Sequence, residues 1–330
     1  MRVSNSGRLS DFHKIFISIK ISDSMKFYKY QGAGNDFLIA DNRDGHIVEK
    51  DGILSAVMED GTIWARSVAD ICDRRYGVGA DGLMLLETAC RCEQHDASDG
   101  MKTDFRMVYF NSDGSGGMMC GNGGRCIVAF AADMGVEPSG ADATYLFEAA
   151  DGPHTAQVLE DGQGIKTVRL KMKDVSTVVH YDVLTGVDCP SEGWFLDTGT
   201  RHFVRQVSCL EEYDVTREGR EIRYGAEELM PVGANVNFIE PADGMLKVRT
   251  YEKGVEDETF ACGTGIVASA ISAHMSGIKP SSCRGDLLVY DVEARRDRLR
   301  VDFRPGESGH LVAEDVYLTG PAAYVAEIIF

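Results

Sequence analysis

Two cysteines in this chain stand in the same local setting. Cys120 opens the segment Cys-Gly-Asn-Gly-Gly and leads into Ile127-Val128-Ala129-Phe130-Ala131-Ala132, which stops at Gly135. Cys262 opens Cys-Gly-Thr-Gly and leads into Ile266-Val267-Ala268-Ser269-Ala270-Ile271, which stops at Gly277. Both runs have helical length, small residues suited to close packing, and glycine at the expected C-terminal stop. Each cysteine is therefore predicted on a glycine turn at a helix N-terminus. Such a terminus presents unpaired amides and a partial positive charge of about half a unit. A thiol placed there is expected to ionise more readily than a free cysteine, and the same amides can hold a carboxylate. Two such termini facing each other would set one thiol on each side of an amino-acid α-carbon. One removes the α-proton, the other returns a proton to the opposite face, and the amides stabilise the charge that develops on the carboxylate.

The elements that must position this pair also occur twice. Val78-Gly79-Ala80-Asp81, followed by Leu83-Met84-Leu85-Leu86-Glu87, is echoed by Val232-Gly233-Ala234-Asn235 with Phe238-Ile239-Glu240. Gly34-Asn35-Asp36-Phe37 has a weaker echo in Gly199-Thr200-Arg201-His202-Phe203. Asn111 precedes Cys120 by nine residues and Glu252 precedes Cys262 by ten. Four matches in one order imply a duplicated chain. Strands are predicted at Phe27–Tyr30, Phe37–Ala40, Phe105–Tyr109, Val168–Met172, Lys247–Tyr251, Leu287–Val292 and Leu299–Phe303, which alternate or run apolar with β-branched and aromatic residues. Residues 53–75 carry helical spacing, and 88–103 read as a polar surface loop. The predicted class is α+β: two homologous, pseudo-symmetric domains, each a mixed or antiparallel sheet wrapped around a long central helix, with the active site in the cleft between them.

Composition narrows the function. The chain has 330 residues, 44% apolar and 26% charged, ordinary for a globular protein and sufficient for two domains. Its net charge of −18 argues against nucleic acid or an anionic membrane as partner, and no apolar stretch approaches bilayer-spanning length. Nine cysteines without a signal peptide read as reduced thiols of a cytoplasmic protein. Residues 1–24 read as an appendage, because Met25-Lys26-Phe27-Tyr28 looks like a natural chain start. Cys72, Cys90, Cys92, Cys126, Cys189, Cys209 and Cys283 read as packing or surface residues. Cys90-Arg-Cys92 with His95 lacks a second ligand pair, so no metal site is expected. Gly32–Gly34 is not followed by the helix and acidic residue of a dinucleotide loop, and no cofactor is expected. His202 is read as either positioning substrate or making a structural hydrogen bond.

These residues resemble the diaminopimelate epimerase family, cofactor-independent enzymes that interconvert L,L- and meso-2,6-diaminopimelate. The resemblance rests on Gln31-Gly32-Ala33-Gly34-Asn35-Asp36-Phe37, Tyr76-Gly77-Val78-Gly79-Ala80-Asp81-Gly82, Phe110-Asn111-Ser112-Asp113-Gly114-Ser115, the two cysteine motifs, Gly233-Ala234-Asn235-Val236-Asn237-Phe238, and Glu252-Lys253-Gly254. It implies Cys120 and Cys262 as base and acid, and Gly121, Asn122, Gly263 and Thr264 as the amide cradle. It further implies Asn35, Asn111, Asn235 and Glu252 as contacts to the substrate's amino groups and distal end, in an enzyme that is frequently a homodimer. In domain terms it implies 25–162, 163–314, and a last strand, 315–330, returning to the first domain. Three departures stand out. Gly199-Thr200-Arg201-His202 replaces the family's Gly-Asn-Pro-His, Lys253 replaces an Arg, and Gly116 replaces a Glu. Lys253 is expected to take the distal carboxylate, as a point charge rather than a bidentate fork.

Overall fold

The computed structural model describes residues 24–89, 102–117, 119–188, 192–306 and 311–330. Cys90, Cys92, His95, Cys189 and nearly all of the 1–24 appendage lie outside them, as does most of the 88–103 loop. Each strand predicted from alternation lies within an observed strand or, at Val168–Met172, overlaps one to within a residue. Residues 53–75 differ. They form a hairpin of Ile53–Val57 and Ile63–Ser67, and only Val68–Cys72 (α1) is helical. The reason is local: Asp60 accepts from both the amide and the hydroxyl of Thr62 at 2.9 and 2.6 Å, and Gly61 takes φ +80°. This closes a turn that a helix through the same residues would forbid. Ser67 then caps α1, its hydroxyl accepting from the Asp70 amide at 3.0 Å.

The remaining α-helices among the described residues are Gly121–Asp133 (α2), Val215–Gly225 (α3) and Gly263–Met275 (α4). Both α2 and α4 end in the same motif. Gly135 and Gly277 take φ +71° and +76°, and the following amides of Val136 and Ile278 reach back to Ala131 and Ala273, each at 2.9 Å. Almost every residue of both helices is buried, so they are cores around which sheet must wrap.

The wrapping is repeated. In the first half Lys26–Gly32 runs antiparallel to Asn35–Asp41, which runs parallel to Gly82–Glu87, itself antiparallel to Phe105–Asn111. In the second half Gly193–Asp197, Arg201–Gln206, Asn235–Ala242 and Met245–Glu252 pair in the same sequence of directions. In each half α2 or α4 follows, and three more antiparallel strands complete the wall. The long strand Ala313–Ile329 belongs to both walls: it pairs with Arg298–Pro305, then with Ile165–Lys171, and finally with Lys26–Gly32. One continuous sheet thus carries seventeen strands among the described residues. No described helix is long and apolar enough to cross a membrane.

Candidate active site

The N-termini of α2 and α4 meet. A methyl group on Gly121 would lie 3.6 Å from the Gly263 Cα, and one on Gly263 would lie 3.3 Å from the Gly121 Cα. Leu318, on the shared strand, seals the other side at 3.0 and 3.2 Å from those positions. A side chain at Gly263 would crowd the Gly121 backbone, and one at Gly121 would press first on Leu318, so glycine suits both positions. Cys120 and Cys262 are the N-cap residues of the two helices, and both line one open cleft of about 1960 Å³. Asn35, Asn111, Gly121, Asn122, Asn235, Glu252, Lys253, Gly263 and Thr264 line the same cleft. Of the residues singled out from sequence, His202 is fully buried behind it.

The thiol environments differ from the expectation built on helix termini alone. Burial pushes both thiols above the ordinary cysteine range. It takes Cys262 to about 12, with the Glu252 carboxylate adding to the effect. Desolvation outweighs the donors that the helix ends supply. Donors act in the opposite direction: the Gly123 amide donates to Cys120 Sγ at 3.2 Å, and Thr264 Oγ1 lies 3.4 Å from Cys262 Sγ.

The polar residues that line the cleft are held by named partners. Asn35 Nδ2 donates to Asp81 at 2.6 Å, and Asn111 Nδ2 donates to Ser115 at 3.0 Å. Asn235 Oδ1 accepts the Lys253 amide at 2.8 Å while its Nδ2 donates to the Arg201 carbonyl at 3.1 Å. Glu252 accepts from Thr259 at 2.8 Å and is pushed up by burial. Beside Asn35, Arg74 bridges Asp36 and Asp81 at 2.7 and 2.6 Å, and Lys29 holds Asp36 at 2.7 Å. Those two cations are neutralised in place. Lys253, Arg201 and Arg296 also line the cleft and make no ion pair among the described residues; Arg201 lies over Phe195, Arg296 over Phe260.

His202 is the centre of a neutral chain. Asn237 Nδ2 donates to the Phe203 carbonyl at 3.2 Å and to His202 Nδ1 at 3.1 Å, while Asn237 Oδ1 accepts from Thr250 at 2.9 Å. With Nδ1 accepting, the imidazole proton sits on Nε2, which lies 2.9 Å from both Thr200 and Thr264 hydroxyls. Burial drives the ring's pKa down to about 3, so it stays neutral. His202 thus makes structural hydrogen bonds on both ring nitrogens, and through one of them it touches Thr264 at the cleft wall. Thr200, in the place of the family's Asn, joins this chain to Thr264 at 3.0 Å.

Sequence reasoning missed Arg125. It is fully buried and donates to the Gly121 carbonyl at 3.1 Å, Asn122 Oδ1 at 2.9 Å and the Pro321 carbonyl at 3.4 Å. Asn122 in turn donates to the Ala261 carbonyl at 3.0 Å, joining the start of one helix to the residue before Cys262. A charged residue inside a small-residue run was the available signal. Tyr109 and Arg296 were also missed, because their place in the cleft depends on pairing between distant strands.

The family profile for diaminopimelate epimerase matches residues 27–178. The chain is 36% identical to the diaminopimelate epimerase of Flavobacterium psychrophilum, over 92% of this chain and 99% of that one. It is 40% identical to that of Chlorobaculum tepidum over 89% and 96%, and 39% identical to that of Aquifex aeolicus over 81% and 90%. The fold resembles a Bacillus anthracis phenazine biosynthesis protein of the PhzF family (TM-score 0.62, 14% identity, 93% of this chain and 99% of that one). It also resembles a hydroxyproline epimerase from Agrobacterium vitis (TM-score 0.58, 14% identity, 93% and 92%). By sequence over nearly its whole described length, and with the doubled helix-in-sheet fold to match, this chain belongs to the diaminopimelate epimerase family.

Proposed function

We propose that this protein is an isomerase interconverting L,L- and meso-2,6-diaminopimelate by two-base proton transfer at the α-carbon, without a cofactor, in lysine and peptidoglycan-precursor biosynthesis. The observation that carries the reading is the meeting of two helix N-termini, each capped by a cysteine that lines the shared cleft. The substrate's α-carboxylate sits on the amides of Gly121, Asn122, Gly263 and Thr264. Its charge compensates the helix termini and is worth most as the α-proton leaves. One cysteine, as thiolate, takes the α-proton; the other, as thiol, delivers its own proton to the opposite face. The enzyme ends with the two protonation states exchanged, which is the starting state for the reverse reaction. Asn35, Asn111, Asn235 and Glu252 orient the amino groups and distal end, His202 holds Thr264 in place, and Lys253 takes the distal carboxylate. The halves 25–162 and 163–314, joined by 315–330, act as the two domains of a cytoplasmic homodimer.

Incubation with L,L-diaminopimelate in heavy water tests this reading. Deuterium should enter the α-position as the meso isomer forms, and a protein that binds the compound without exchanging that proton is not this enzyme. A second reading, an epimerase of the same group acting on another amino acid, is favoured by Thr200, Arg201 and Lys253, which depart from the family where the distal end is recognised. Exchange into another amino acid but not into diaminopimelate would select it.

A further inference from the structure

Tyr109 lines the cleft and has no part in the mechanism above. It stands two positions before Asn111 on the strand Phe105–Asn111, so both side chains leave the same face, the one that carries Phe105 and Met107 into the core. Its ring occupies a slot that two glycines leave open. A methyl group on Gly117 would overlap the ring, and one on Gly82 would lie 2.5 Å from Cε2 and 2.9 Å from the hydroxyl. Phe37 packs edge-on against it, with centroids 6.0 Å apart and planes at 74°. A ring fitted this closely fixes where its hydroxyl lies, and here that is beside Gly82. Gly82 pairs with Asn111 across the sheet and follows Asp81, which holds Asn35. The hydroxyl therefore stands on the stretch of cleft wall that joins the two asparagines. It has no hydrogen-bond partner among the described residues and is not sealed from the cleft. Burial raises its pKa, so the group is a neutral phenol.

A hydroxyl on a packed ring ordinarily finds a partner, and the neighbouring groups indicate which kind. Asn35 Nδ2 donates to Asp81 at 2.6 Å and Asn111 Nδ2 donates to Ser115 at 3.0 Å, so each amide keeps its oxygen as an acceptor. Lys29 and Arg74, the cations beside Asn35, are already paired with Asp36 and Asp81. This wall suits a positive group. We propose that Tyr109 contacts the substrate: its hydroxyl oxygen, with Oδ1 of Asn35 and of Asn111, accepts hydrogen bonds from an ammonium group of bound diaminopimelate. The inference rests on the epimerase reading and adds to it a residue that orients the substrate from the floor of the first half.

Tyr109→Phe in the full chain is the test, since it keeps the ring in its slot and removes only the oxygen. KM for L,L-diaminopimelate, and the calorimetric Kd for the equilibrated isomers, should both rise about tenfold or more, as for a hydrogen bond to a charged group. The change in kcat should be smaller, and the melting temperature should hold, because no contact within the protein is lost. Pimelate, which has both carboxylates and no ammonium, should inhibit the wild type and the variant with the same constant. Unchanged KM and Kd would overturn the proposal. A fall in kcat with KM unchanged would do so too, placing the hydroxyl on a catalytic thiol instead of the substrate. Equal weakening of pimelate would make it a carboxylate contact, and a lowered melting temperature with unchanged Kd would make it structural; either result sinks the ammonium assignment. If the wild-type protein leaves the α-proton of diaminopimelate unexchanged, the epimerase reading fails. If it exchanges that proton and Tyr109→Phe binds as tightly, this inference alone fails.

Discussion

The two cysteine-bearing helix ends share a backbone device and differ in what stands behind it. At Cys120 the thiol accepts an amide hydrogen bond, a buried guanidinium lies one turn along the helix, and the ring packed near Gly123 is Phe37. At Cys262 the thiol meets a threonine hydroxyl, backed by the neutral chain Thr264–His202–Asn237–Thr250, and the ring packed near Gly265 is His202. Phe37 and His202 occupy matching places after Gly34-Asn35-Asp36 and Gly199-Thr200-Arg201. Duplication has kept the capped helix and the glycines that let the ends touch, while the electrostatics have diverged. One half supplies a fixed charge and the other supplies oriented dipoles.

The largest expected effect tests whether both ends are needed. Cys120→Ala and Cys262→Ala should each lower kcat by a factor of about 10² to 10⁴, the usual contribution of a general acid or base, with unchanged circular dichroism. Either variant retaining a tenth of wild-type turnover would break the opposed-pair scheme. Cys→Ser should be nearly as damaging at both sites, because an alcohol is a far poorer base than a thiol.

Next comes the recognition asymmetry, since Lys253 and Arg201, which make no ion pair among the described residues, both belong to the Cys262 half. Lys253→Ala should raise KM for diaminopimelate by the equivalent of about 1.5–3 kcal/mol, the range for a charged hydrogen bond, and change little for an analogue lacking the distal carboxylate. Arg201→Ala should have the smaller effect, as its guanidinium already lies over Phe195. A larger selective loss at Arg201 would reassign the distal site.

Packing offers a third comparison. A methyl group on Gly265 would overlap Asn237 Oδ1, whereas one on Gly123 would first meet Cys120 Sγ at 3.2 Å. Gly265→Ala should therefore destabilise the protein by about 1–3 kcal/mol, an ordinary overpacking cost. Gly123→Ala should leave thermal stability nearly unchanged, helped by the better helix propensity of alanine, and should lower activity by shifting the thiol. Equal losses of stability would mean the two ends are packed alike.

The smallest effect concerns pH. His202 is held neutral with its pKa near 3, below the ordinary value of about 6.5 for an unfolded histidine. The unfolded chain then binds a proton that the folded chain refuses. The stability this represents is present above about pH 6.5 and is lost as pH falls toward 3. Urea melts of His202→Gln between pH 4 and 7 should show a shallower loss on acidification than the wild type. The first half has Phe37 in the matching place, and Phe37→Leu should leave that slope unchanged.

Much of this protein was legible in its residues. The glycine-flanked cysteines, the Ala-rich runs and the C-terminal glycines determine two buried, capped helices, because cap chemistry and periodicity act over a single turn. The alternating strands were legible for the same reason. The hairpin at 53–67 was not, since its apolar residues satisfy a helical period as well as an alternating one, and the Asp60–Gly61 turn with cover from Phe27 and Phe330 on Trp64 settles the choice. Nor does local sequence state that Gly121 and Gly263 touch, that Asn122 reaches Ala261, or that Arg125 is buried with Pro321 as one of its acceptors. Each joins residues more than a hundred positions apart, brought together when the strand Ala313–Ile329 enters both walls. The chain by itself determines which groups can do the chemistry. Their separation, burial and charge environment are decided only when two distant helix ends are packed against the same strand, because desolvation and Coulomb interactions depend on what surrounds a group in space.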